Sequence, residues 1–171
     1  MSFPIYDASV PVMLHALNNL STVLDKASAH CEKEKIDPNA LLSARLYPDM
    51  FALTRQVQVV SDGSKGGAAR LAGAEAPKFP DTESSFAELK ARLDKTAAFL
   101  KSLEAAKFAG AEERAVELKF PQRTLNFRNG WDYLRGFVLP NLYFHSATAY
   151  DILRHNGVKL GKGDFLGNVG G

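Results

Sequence analysis

The side chains able to do chemistry are few. The 171 residues include four histidines and one cysteine, and two of the histidines, His145 and His155, fall within one stretch, 139–157. That stretch reads as an amphipathic helix stopped by Asn156-Gly157, where glycine takes the left-handed conformation at little cost. Steps of three and four along it join Asn141, His145, Thr148, Ile152 and His155, a stripe half polar where a plain core helix would be apolar. An imidazole in such a stripe can ligate a metal, move a proton or anchor a hydrogen-bond network. His145 and His155 cannot share one metal ion, since ten helical residues separate them by about 15 Å. A metal at His145 would have to recruit donors from other helices, such as His15, Asp49, Asp62 or Gln56, and nothing in the spacing selects a set. The favoured reading is a polar ligand-binding spot of His145, Asn141 and Tyr150, with Gln56 and Asp62 facing them and Tyr143 a further hydrogen-bond partner. No metal ligand and no catalytic residue is assigned. Arg154-His155 reads as positive charge at the negative end of the helix dipole.

The other reactive types read as structural. Cys31 lies near the end of a helix beside His30 and Glu32, without the positive surroundings that activate a thiol. His15 reads as a satisfied core or boundary histidine, and Asn18 and Asn19 as facing solvent or bonding locally. There is no P-loop, no G-x-G-x-x-G after a strand, no G-x-S-x-G, no H-E-x-x-H and no C-x-x-C. Lys65-Gly-Gly lacks the strand, the first glycine and the Ser/Thr of a phosphate loop.

Four long helices are expected to position these groups. The first starts at Ser9 as N-cap with Pro11 in its first turn and runs to about residue 33, with Val10, Met13, Leu14, Leu17, Leu20, Leu24, Ala27 and Cys31 inward. Asp37-Pro38 opens a short helical insert through Leu46. The second long helix is expected over 48–72, with Pro48 in its first turn and Met50, Phe51, Leu53, Thr54, Val57, Val60, Ser61 and Ser64 inward. Arg55, Gln58 and Asp62 would share a solvated face with an intrahelical ion pair. Gly63, Gly66 and Gly67 in its later half point to close approach of another helix, and that small-residue half is also the expected dimer surface. The third helix follows a capping box, Ser85-x-x-Glu88, with Phe86, Leu89, Leu93, Leu100 and Leu103 inward and Glu88, Lys90, Arg92, Asp94, Lys95 and Lys101 on the wet side. Around 115–127 the period changes to two and Pro121 interrupts it, giving two short extended pieces, a small hairpin insert before the last helix. Residues 131–138 are helical, Pro140 starts or kinks the final helix, and residues 157–171 form a docked, irregular tail.

A hydrophobic content of 46% and a charged content of 23% are those of an ordinary globular domain, and no boundary divides 1–171 into more than one. The formal net charge of +2 gives no pull toward nucleic acid or anionic lipid. No eighteen-residue apolar run spans a membrane, and the N-terminus has no basic segment followed by an apolar one. With a lone cysteine fitting a reducing compartment, a cytoplasmic location is expected.

The blocks Ala44-Arg-Leu-Tyr-Pro-Asp-Met-Phe51, Ala69-Arg-Leu-Ala-Gly73, Pro140-Asn-Leu-Tyr-Phe-His145, Ala149-Tyr-Asp-Ile-Leu-Arg-His-Asn-Gly-Val158 and Gly161-Lys-Gly-Asp-Phe-Leu-Gly167 resemble an uncharacterised DUF family of the DinB/YfiT-like superfamily. The likeness runs in order over nearly the whole chain. It implies an all-α fold, a DinB-like four-helix bundle, often dimeric. Many members of the wider superfamily hold a divalent metal through one histidine on the second long helix and an H-x-x-x-H pair on the last. Here residues 48–72 contain no histidine and position 149 is alanine. The expectation is therefore a homodimer that binds a small molecule or a partner around His145. The alternative is a divergent metal-dependent transferase or hydrolase in which His145 survives as a ligand to Zn or Ni.

Overall fold

In a computed structural model, which describes residues 4–168, four long helices pack side by side. They are α1 (Ile5–Glu34), α3 (Leu53–Ala72), α4 (Phe86–Ser102) and α6 (Leu139–His155). Each of α1 and α3 packs against both α4 and α6, closing a square around one apolar core. The short helix α2 (Pro38–Leu42) joins α1 to α3, and β1 (Val116–Phe120) and β2 (Arg123–Phe127) form an antiparallel hairpin with Leu118 opposite Leu125. The bundle and both inserts match the architecture expected from periodicity. Among the described residues, no helix is long and apolar enough to cross a membrane.

The ends of α1 and α3 differ from expectation for local reasons. α1 begins at Ile5, one turn before Ser9, with Pro4 extended at its N-cap. Ser9 is buried and gives its hydroxyl to the Ile5 carbonyl at 2.6 Å, so it is a core residue and not a cap. Pro11 then lies inside the helix. The carbonyl it leaves without a donor is that of Asp7 on the exposed face, where water can reach it. α2 stops at Leu42 and α3 starts at Leu53, not Pro48. Residues 47–50 instead make a turn closed by Met50 N–H to the Tyr47 carbonyl at 3.0 Å. Arg45 reaches the Met50 carbonyl at 3.2 Å across that turn. Phe51, expected inward, is therefore 51% exposed.

The small residues of α3 serve the chain itself. A Cβ on Gly67 would lie 2.7 Å from Cγ1 of Val138, so only glycine admits the final helix at this distance. Ser64, Gly66, Gly67, Ala68 and Ala69 are all buried. The expectation of close helix packing holds, while the same surface is not free to form a dimer. The final helix is continuous from 130 to 155: α5 (Gly130–Tyr133), a π-type turn (Leu134–Val138) and α6. The wide turn falls just ahead of Pro140, whose ring and missing donor disrupt regular bonding to the preceding turn. The hairpin docks here through Phe127, which lies 5.2 Å from Tyr133 and 5.9 Å from Phe137 between ring centroids.

The chain beyond His155 turns at Gly157, in the left-handed region at φ 94°, and the tail forms a short helix, α7 (Lys162–Leu166), against α1. Its backbone is held by side chains of α1. His15 donates Nε2–H to the Leu166 carbonyl at 2.7 Å, Asn19 donates to the Phe165 carbonyl at 3.2 Å, and Lys26 pairs with Asp164. Asn19 is thus buried and bonded far along the chain, not locally as expected. The expected tail over 169–171 lies outside the described residues.

A second correction concerns charge. Arg92, expected on the wet side of α4, is 2% exposed. Its terminal nitrogens meet Asp62 at 2.8 Å, Asp81 at 2.9 Å, Glu83 at 2.9 Å and the Pro80 carbonyl at 3.0 Å. Lys65 also pairs with Asp62, at 2.6 Å, and Arg55 with Asp81, at 2.5 Å. Asp62 does pair within α3, with Lys65, but it and Arg55 also join a cluster that fastens the loop before α4 onto α3 and α4.

Candidate functional site

α6 turns Leu142, His145, Ala149, Ile152 and Leu153 into the bundle, and His145, at 9% exposure, lies in the seam with α3. There it meets Gln56, buried on the first turns of α3. The His145 Nδ1 to Gln56 Oε1 distance is 2.6 Å, and the Gln56 amide NH2 donates to the Phe51 carbonyl at 3.1 Å. These two bonds fix the protonation pattern. A carbonyl accepts only, so Gln56 must present its NH2 to Phe51 and its oxygen to the imidazole. Nδ1 therefore carries the proton, and Nε2 keeps a lone pair with no hydrogen bond inside the described residues.

The surroundings keep this ring neutral. Burial, and then the positive charge of Arg55, lower the His145 pKa from its ordinary value. Phe51 stacks beside the ring at 6.4 Å between centroids, and Phe144 meets it edge-on at 5.0 Å. Both phenylalanines are more than half exposed, at 51% and 57%, and the Arg55 guanidinium lies over the Phe51 ring at 5.8 Å. The result is a buried, neutral imidazole flanked by two exposed aromatic rings, with the guanidinium of Arg55, itself paired with Asp81, over one of them.

Of the five residues expected at the site, His145 and Gln56 come together. Asn141 lies along the same seam, its amide against Gly63. Asp62, six residues beyond Gln56, faces α4 and is taken up by Lys65 and Arg92. Tyr150 turns to the other side of α6, where its ring meets Phe165 of the tail at 6.1 Å. Phe51 and Phe144 were missed. The exposed Phe144 immediately beside His145 was the available signal, whereas the position of Phe51 follows from a turn that sequence reading replaced by helix.

The superfamily's metal centre does not fit these donors. Among the described residues, no three His, Cys, Asp or Glu side chains come close enough to hold an ion together. The Nδ1 bond to Gln56 leaves Nε2 as the one nitrogen of His145 able to meet a metal, and the charge of Arg55 that disfavours an imidazolium also disfavours a bound cation.

A family model described as "Domain of unknown function (DUF1993)" matches residues 5–166. The chain is also similar to a solved structure, that of a DinB family member protein from Shewanella denitrificans. The two are 40% identical, with a TM-score of 0.88, over 96% of this chain and 93% of that one. No curated protein matches the sequence.

Proposed function

Because the chain belongs to the DUF1993 family and has the DinB-like fold, we propose that it is a binding protein whose contact point is the unprotonated Nε2 of His145. The observation that carries this reading is the Gln56–His145 pair, which leaves one neutral acceptor on a ring flanked by Phe51 and Phe144. Such an arrangement suits a small molecule with a flat apolar body and one N–H or O–H donor. Because Arg55 is already paired with Asp81, the acceptor itself sets the preference, for a neutral ligand that donates one hydrogen bond. The protein acts as a homodimer in this reading, the second copy covering the exposed Leu46 and Tyr47 of the preceding loop and closing over the ligand at Phe51 and Phe144. The lone thiol of Cys31, buried and raised in pKa by that burial, suits the reducing cytoplasm.

The test uses tag-free protein and benzamide as probe. Titration to 10 mM is expected to move the His145 Nε2 resonance and the Phe51 and Phe144 ring signals, and His145→Phe is expected to abolish the response. Unmoved resonances would end the reading. The competing assignment, a DinB-like metal-dependent transferase or hydrolase with His145 as ligand, requires stoichiometric Zn or Ni in the same preparation. That metal would have to disappear in His145→Ala. Sedimentation decides the dimer, which Phe144→Glu should dissociate.

A further inference from the structure

On the other side of α6 from His145, between α1, α6 and the tail helix α7, lies a cavity of about 240 Å³. Its wall is mostly apolar, from Val12, Leu20 and Val23 of α1 to Phe165 of α7, and also carries the polar side chains of His15, Asn19 and Ser146. None of the lining residues is Asp, Glu, Lys or Arg. Ser146 is 5% exposed, and its Oγ is fully buried without a hydrogen-bond partner among the described residues. That is unusual for a helical hydroxyl. Ser9, Thr22, Ser64, Thr96 and Thr148 each give theirs to the carbonyl four residues back, at 2.6 to 3.1 Å. An unpaired buried hydroxyl is costly unless something completes it.

We propose that this cavity is a second binding site, independent of His145, for a neutral bicyclic aromatic molecule that hydrogen-bonds the Ser146 hydroxyl. The size fits the class: a cavity of about 150 Å³ holds a benzene ring, and this one is larger by enough for a second fused ring. Neutrality follows from the wall, which offers an ammonium no counter-charge and whose one potential cation, His15, is engaged by the Leu166 carbonyl. The tail is the cover. Phe165 and Leu166 form one wall of the cavity, and α7 is tied to α1 by polar links to His15 and Asn19, which also line the cavity, and to Lys26. A ligand can therefore enter when those links open, without disturbing the four-helix core.

Indole and benzofuran test the site, because they share a shape and differ in the N–H. Calorimetry on the full chain is expected to show indole binding five- to tenfold tighter than benzofuran. Ser146→Ala should bring the two to within twofold of each other, and Ala16→Phe, which fills the cavity from its α1 wall, should abolish both. Amide resonances of residues 160–168 should shift on indole binding, while the His145 imidazole stays unmoved. Absence of indole binding at 2 mM would overturn the site, as would binding unaffected by Ala16→Phe. An indole preference that survives Ser146→Ala would overturn the role of the hydroxyl. Movement of the His145 ring with a still tail would assign indole to the other site and overturn this one.

Discussion

Helix α3 carries two polar seams that look alike in sequence and differ in what they leave undone. Toward α4, Arg55, Lys65 and Arg92 meet Asp62, Asp81 and Glu83, three cations against three carboxylates. Both terminal nitrogens of Arg92 are satisfied, and only its Nε lacks a partner. Toward α6, Gln56 and His145 satisfy each other on one side and leave Nε2 without a partner on the other. An ion cluster built in this way around a buried Arg92 has little left to offer a ligand, because separating the buried charges from their partners exposes the desolvation cost those pairs offset. The neutral pair keeps one acceptor available at no such cost. Charge density alone is thus a poor guide to a site. The unpaired atom is the better one.

The contrast can be broken most severely at Arg92. Arg92→Met would leave Glu83 and Asp62 without their shared cation and is expected to cost about 3 kcal/mol, read as a lower urea midpoint at unchanged slope. A loss below about 1 kcal/mol would mean that the loop is held by its apolar contacts, with the cluster incidental. Gln56→Leu should cost less, about 1.5 kcal/mol, by stranding the Nδ1–H of His145. Nitrogen chemical shifts of the imidazole should report loss of the Nδ1–H tautomer in the same variant.

Acid separates the seams. The folded-state pKa of His145 lies below its ordinary 6.5, so the unfolded chain binds that proton more readily. Stability from this group is complete above pH 6.5 and declines as pH falls toward the folded value. Hydrogen bonds from Arg92 and Gln58 outweigh partial burial at Glu83 and hold its pKa below the ordinary 4.5. Its contribution is present above pH 4.5 and fades as pH falls further. Melting temperatures across pH 3 to 8 should therefore show a first acid loss that His145→Gln removes and a second that Glu83→Gln removes. Loss of both steps in one variant would mean the seams are coupled. The smallest effect is expected from Asp81→Asn, about 0.5 kcal/mol, because that carboxylate is 42% exposed and solvent screens its pairing.

The bundle was legible because its long helices carry uninterrupted stripes, such as Phe86, Leu89, Leu93 and Leu100, which are all buried. The hairpin was legible from its change of period, and the last helix from its glycine stop. Arg92 was not, since a charge in a helix reads as solvated until its partners are known. It sits three residues after Leu89 and four before Thr96, which places it on the buried stripe's flank, and Asp81 and Glu83 wait in the preceding loop. Half of the site was readable. His145 stood out on a polar stripe, and Gln56 entered only as one of several donors, because a contact across 89 residues leaves no local trace. Asp62 and Tyr150 share helices with the pair, yet each lies at a different angle around its axis, and spacing alone did not resolve which neighbour each would meet.

The wide turn before Pro140 has a consequence for everything downstream of it. It absorbs one residue more than a regular turn would, and each residue is worth about 100° of rotation around a helix axis. Tyr133 and Leu134 are buried on one side of it and His145 on the other. A uniformly wound rod could not keep both ends in phase: seating Tyr133 would swing His145 away from Gln56. The loosened winding acts as a clutch between hairpin and bundle, letting the aromatic end and the imidazole end each choose its own angle.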